Sequence, residues 1–197
     1  MSFIITVYTN EGIIMASDSR TTYTTTKTLS DGTVEKNVGV QLTDTTYKTF
    51  KCNSRIGLST CGTASINDMP IAGFNASDNK QHISRVYVGS NQVKAEDISI
   101  PGAIWDGEID VLQRIIKKVG LKNNDGTYSD LNFYGIGFNY FTLQDAIDFA
   151  QYAVDSTIKT MFFQNRVKTV GGPIDILAIK PSGTFWVQRK ELQVKRG

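Results

Sequence analysis

Residues 1–20, Met-Ser-Phe-Ile-Ile-Thr-Val-Tyr-Thr-Asn-Glu-Gly-Ile-Ile-Met-Ala-Ser-Asp-Ser-Arg, constrain the fold of this chain more than any other stretch. Two short apolar runs, 3–9 and 13–17, flank Asn10-Glu11-Gly12. Apolar runs of that length around such a turn predict a tight β-hairpin. A hairpin returns the end of its second strand to the start of its first, which brings Asp18 and Arg20 beside Ser2. Serine is small enough for an aminopeptidase to remove Met1, and Ser2 would then carry a hydroxyl and a free α-amine together. An α-amine has a reference pKa of about 7.7–8.0, so a modest depression makes it a base near neutrality. A hydroxyl activated by an amine is one solution to nucleophilic catalysis. The plain alternative is that Ser2 is an ordinary residue following Met1.

Composition narrows the chemistry. The chain has 197 residues, which suits a single domain, 1–197, with a sizeable core. Its formal net charge is +2, giving no electrostatic case for nucleic acid or a membrane surface. No apolar run approaches the roughly 20 residues of a membrane span, and the N-terminus lacks a signal-peptide core. Cys52 and Cys61 lack metal-ligand spacing and read as reduced core thiols of a cytoplasmic protein. The lone His82 argues against a Ser–His–Asp triad, leaving an amine or a carboxylate as the base of any enzyme. Gly135-Ile136-Gly137 is too weak for a phosphate loop, because no helix start or lysine follows in register. No cofactor or metal is expected.

Further along, residues 21–46 are polar and threonine-rich, with a turn at Ser30-Asp31-Gly32, and predict a projecting hairpin. It is either surface decoration, or a lip on the site or a contact to a neighbouring subunit. Residues 47–62 predict a second hairpin, turning at Asn53-Ser54 and closing on Gly62. Pro70, Gly73, Asn75, Asp78 and Asn79 break any helical period early, so a short helix near 64–73 is the most that stretch predicts. Residues 82–88 and 92–98 read as paired strands around Gly89-Ser90-Asn91. Ile109, Leu112, Ile116 and Val119 predict a helix over 108–119 that Gly120 stops, with Asp106 as a candidate cap. Asn123-Asn124-Asp125-Gly126 is a turn in the long connection 121–140. Thr142 and Asp145 cap the strongest helix, 142–163, whose stripe is Leu143, Ile147, Ala150, Val154, Ile158 and Met161. Ser182-Gly183 turns into a last strand, 184–188.

The order of these features resembles proteasome β-type subunits, the N-terminal nucleophile hydrolases, in the manner of a bacterial proteasome homologue. The resemblance covers about the first 62 residues, less the inserted hairpin, and residues 99–190 or so. Counting back from Asp18 without a gap, Ser2 falls on the family's catalytic threonine. The resemblance implies that Lys48 is the buried lysine that lowers the nucleophile's pKa, held by Asp18. It implies that Arg20 fixes the strand end and that the Gly62 N–H contributes to an oxyanion hole. A solvent-facing lysine on a strand is the alternative for Lys48. Asp106 stands where the family has a serine near the nucleophile, a role compatible with capping. The family's later aspartate and serine fall on Val167 and Val170, leaving Thr169 as the nearby hydroxyl.

By this resemblance the fold is α+β, a four-layer αββα sandwich with one helical layer thin. The function implied is an N-terminal serine hydrolase of amide bonds, a peptidase first, acting as a homo-oligomer; an ATPase partner is left open. The alternatives are a non-catalytic, assembly-forming relative and an amidase or acylase on a small non-peptide substrate.

Overall fold

A computed structural model of the chain describes residues 2–62, 65–66, 69–70, 83–88, 93–98 and 100–191. β1 (Phe3–Thr9) and β2 (Gly12–Ser17) form the hairpin expected at the N-terminus, with Thr9 opposite Gly12. β3 (Thr21–Thr28) and β4 (Val34–Thr43) pair as the threonine-rich hairpin. β5 (Thr49–Lys51) and β6 (Gly57–Ser59) make the next one. Two further antiparallel pairs follow, β7 (Ser65–Ile66) with β8 (Met69–Pro70), and β9 (Ile83–Val88) with β10 (Val93–Ile98). β11 (Gly102–Gly107) leads to α1 (Asp110–Ile116), and β12 (Gly120–Lys122) pairs with β13 (Tyr128–Asp130). A 3-10 turn at Phe138–Tyr140 precedes α2 (Leu143–Phe163), and β14 (Asp175–Lys180) and β15 (Gly183–Gln188) complete the order.

One antiparallel sheet, ordered β11-β1-β2-β14-β15, organises the rest. Its two faces follow from strand alternation. Phe3, Ile5 and Val7 of β1, Ile14 and Ala16 of β2, and Ile176 and Ala178 of β14 face the helices. Ala146, Ala150 and Ala153 are fully buried on α2, and their small side chains bring that helix close to the sheet. The other face carries Ile13, Met15 and Leu177, flanked by Tyr8, Ile104, Ile179 and Trp186. β6 lies on this face at Gly57, where a Cβ would meet Met15 Sδ at 2.7 Å and Leu177 Cδ2 at 2.8 Å.

α2 begins as its sequence dictates. Thr142 Oγ1 accepts the Asp145 N–H at 3.2 Å, while Asp145 Oδ2 accepts the Thr142 N–H at 2.8 Å. Glu11, from the β1–β2 turn, accepts the Leu143 N–H at 2.8 Å, placing a carboxylate at the positive end of the helix. The hairpin and the longest helix are thereby joined at one corner.

Several expectations are corrected. The four-layer αββα sandwich is overturned: the described residues give one five-stranded sheet with α1 and α2 on one face, the β5–β6 hairpin on the other, and small two-stranded sheets. No second helical layer exists among the described residues. Ser65–Ile66 and Met69–Pro70, inside the expected helix 64–73, are strands instead, and the rest of that stretch lies outside the described residues. So do His82 and the turn at 89–91. α1 is shorter than the helix expected over 108–119, and its N-cap is Ile109, without a side-chain bond. Asp106 is therefore not the N-cap residue; it belongs to β11, opposite Ile4. The cysteines are free but are not core thiols: Cys52 is exposed and Cys61 half-buried.

The capping box gives a direct test of helix stability. Thr142→Ala removes the acceptor for the Asp145 N–H and should cost about 1 kcal/mol. Urea unfolding would show this as a lower midpoint with an unchanged slope.

Candidate active site

The site forms at the sheet end where β1 starts and β2, β11 and β14 have their adjoining ends. Its centre is Asp18, a fully buried carboxylate. Oδ1 accepts the Phe3 N–H at 2.9 Å and Lys48 Nζ at 2.6 Å. Oδ2 accepts the Arg20 N–H at 3.1 Å and the Gly171 N–H at 3.0 Å. Lys48, only 4% exposed, makes a second bond from Nζ to the Arg20 carbonyl at 2.5 Å. It is therefore a buried, doubly bonded cation and not the solvent-facing alternative. Burial pushes its pKa below the ordinary 10.5, against the upward pull of Asp18.

Ser2 is buried at the start of β1. Its carbonyl accepts the Glu108 N–H at 2.8 Å. Gly107 makes this approach possible: its φ is +92°, and a Cβ there would lie 1.8 Å from the Ser2 carbonyl oxygen. The residue that follows Ser2 thus shares one carboxylate oxygen with Lys48. Register sets Asp106, Ile4, Ser17 and Asp175 in one row across the sheet. Alternation along β1 puts Ser2 on the same face as that row.

The remaining expected residues are placed differently. The Arg20 guanidinium turns away from Lys48 and grips Asp44 at 2.7 and 2.8 Å, with a further bond to the Lys168 carbonyl at 3.1 Å. This bidentate pair holds the Asp44 carboxyl below its ordinary range. It ties the chain beyond β2 to the end of β4 and to the loop before β14. Thr169 is buried, but its hydroxyl donates to Glu108 Oε1 at 3.0 Å. Glu108 in turn accepts Arg166 at 2.7 Å, and Arg166 reaches Asp110 at 2.6 Å. Gly62 is exposed, with φ +87° and open space where a Cβ would stand. Its connection to the site is through the chain: the Thr60 N–H donates to the Lys48 carbonyl at 2.9 Å.

Sequence reading missed a second buried ion pair. Lys190 Nζ donates to an Asp175 carboxylate oxygen and to Ser19 Oγ at 2.8 Å, and the Lys190 N–H donates to Asp175 Oδ1 at 2.8 Å. An aspartate opening the otherwise apolar run 175–179 was the available signal for Asp175. Lys190 had none, lying among the charged residues near the end of the chain. Glu108 was equally hidden, since an acidic residue before a helix is ordinary.

Among the described residues no cluster of three His, Cys, Asp or Glu could hold a metal ion. No described helix is long and apolar enough to cross a membrane. No protein-family model matches the chain, and no curated protein matches it in sequence.

Two stability measurements probe the central pair. Asp18→Ala leaves Lys48 buried without its anion and should cost about 3–5 kcal/mol, and adding Lys48→Met should recover in urea unfolding only the part due to the uncompensated charge, since the Phe3, Arg20 and Gly171 N–H groups stay without their acceptor. Lys48 has a folded pKa below its unfolded value, so between the two the unfolded chain binds more protons and stability climbs with pH. Unfolding free energies followed from about pH 8 upward should show this climb in the parent protein and not in Lys48→Met.

Proposed function

We propose that the chain is an N-terminal serine hydrolase of the proteasome β-subunit type, cleaving amide bonds, peptide bonds first, once Met1 is removed. One observation carries this reading. A single buried oxygen, Asp18 Oδ1, binds both the Phe3 N–H and the Lys48 ammonium, so a buried cation is held beside the residue that adjoins Ser2. Removal of Met1 would give Ser2 its α-amine. Ser2 Oγ attacks the substrate carbonyl as its proton passes to that amine, which returns it to the departing nitrogen. Lys48 stabilises the ionised oxygen, and its depressed pKa brings its own proton exchange nearer the working pH. The Gly62 N–H receives the oxyanion when substrate is bound. Water then hydrolyses the acyl group from Ser2. Arg20 and Asp44 keep the strand end in place, so Asp18 does not drift. A cytoplasmic homo-oligomer belongs to this reading, since relatives of this type gain selectivity by enclosing such sites.

A second reading, a non-catalytic protein that forms assemblies, has its own support. Val167 and Val170 stand where the resemblance expects a carboxylate and a hydroxyl, and the Thr169 hydroxyl is committed to Glu108.

Intact mass of untagged protein, with and without a β-lactone, separates the two. We expect loss of Met1 and one adduct on Ser2, absent in Ser2→Ala and slowed about 100-fold or more in Lys48→Ala. Met1 retained with no adduct overturns the hydrolase reading in favour of the assembly one. A peptide panel beside small acyl amides then distinguishes a peptidase from an amidase.

A further inference from the structure

Lys190 is an unusual place for a positive charge. Its side chain is 2% exposed, and its partner Asp175 is fully buried. A second buried ion pair so near the first is costly to desolvate, which makes its position informative. The geometry brackets Lys48 from two sides. Asp18 holds Lys48, and the next residue, Ser19, holds Lys190 through its Oγ. Tyr47 directly precedes Lys48, and its ring centroid lies 4.1 Å from Lys190 Nζ. Arg189 stands over the same tyrosine at 5.3 Å and over Trp186 at 5.1 Å. Ser19 is itself fixed, donating from Oγ to the Pro173 carbonyl at 2.7 Å and from its N–H to the Gly171 carbonyl at 3.0 Å. The Lys190 ammonium is therefore immobilised beside both neighbours of the Asp18–Lys48 pair.

We propose that Lys190 is a positioning residue for Lys48, fixed by Asp175, Ser19 and Tyr47 so that its charge bears on the Lys48 ammonium. The proposal deepens the hydrolase reading and rests on it for its catalytic meaning. A like charge close by weakens the hold of Lys48 on its proton, opposing Asp18, which strengthens it. The ionisable groups whose charges act on Lys48 are Asp18 after β2, which it touches, and Lys190 after β15, Cys61 after β6 and Asp44 after β4. Asp18, Cys61 and Asp44 favour the charged lysine; Lys190 is the one cation among these four. With it, Lys48 holds its proton less firmly; without it, the pull of Asp18 on that proton is less opposed.

The test reads Lys48 directly. In full-length protein labelled with ¹³C at lysine Cε, the Lys48 signal is titrated in the parent, Lys190→Gln, Lys190→Met and Lys190→Arg. We expect its midpoint to rise by about half a unit to one unit in the Gln and Met variants and to return in Lys190→Arg. The Asp175 charge left behind acts in the same direction. The pH profile of β-lactone labelling at Ser2 should move to higher pH by a similar amount. An unmoved Lys48 titration in either neutral variant that keeps its fold overturns the proposal. Gln retains hydrogen-bonding groups for Ser19 and Asp175, so it guards against a misfolded Met variant. A parent protein that takes no lactone while Lys48 still shifts removes the hydrolase reading and leaves the Lys190–Lys48 coupling standing.

Discussion

The buried carboxylate of Asp18 is the constraint on which the rest of the site depends. Removing a carboxylate and an ammonium from water costs several kcal/mol each, and their attraction repays this only with good geometry and full hydrogen bonding. Asp18 meets both conditions. Its two oxygens take four donors from four parts of the chain: Phe3 in β1, Arg20 beyond β2, Lys48 before β5 and Gly171 before β14. Losing any one donor would leave a buried acceptor short of a partner, so the four segments are fixed together. The same bonds that balance the buried charge also locate Ser2 relative to Lys48.

The sheet serves this joint by separating two environments. Its helix-facing side is closed with Phe3, Ile5, Val7 and the alanines of α2, which carry no polar groups to satisfy. The opposite side changes character along its length. It is apolar at Ile13, Met15 and Leu177, and polar where Ser17 and Asp175 pair at the strand ends. There the hydroxyls are also partnered, with Thr49 Oγ1 donating to Ser17 Oγ at 2.9 Å. A polar sheet end built on paired strands is stiffer than one built on loops, and that stiffness is what a pre-organised site needs.

What the sequence made legible follows the range of the interactions involved. The β1–β2 hairpin and the α2 capping box depend on residues a few positions apart, and both were readable. Asp18 was readable because hairpin geometry brings it near Ser2, whereas Lys48 was readable only through the resemblance, whose pattern falls on it without a gap. Lys190 was not, since its partners Ser19 and Asp175 are set by strand pairing that no local pattern reveals. The layer count failed for a related reason. The resemblance supplied helices for the stretch after Gly62; the alternation near residues 83–88 pointed to strand and is strand, while Pro70 read only as a helix breaker, and the short helix expected around it is replaced by paired strands at the described positions. Asp106 misled in the opposite way, because an aspartate shortly before a helix suggests a cap, yet the strand runs one residue past it and the helix starts at Asp110.

Two lysines and two aspartates at one sheet end form crossed pairs with no net charge, yet they are not equivalent. Asp18 spends its oxygens on three backbone N–H groups and Lys48, so it is tied to the chain on both oxygens. Asp175 is gripped by the Lys190 ammonium and by the Lys190 N–H, both from one residue. Lys190 is held by carboxylate, hydroxyl and ring together. Lys48 has a single carboxylate oxygen and one carbonyl, and burial already disfavours its charge. Of the two lysines, Lys48 therefore has the fewer partners to lose with its proton, and it shares an Asp18 oxygen with the N–H of Phe3, the residue next to Ser2. The arrangement concentrates what freedom the network has at a single nitrogen, which is the property a proton-exchanging group beside a nucleophile requires.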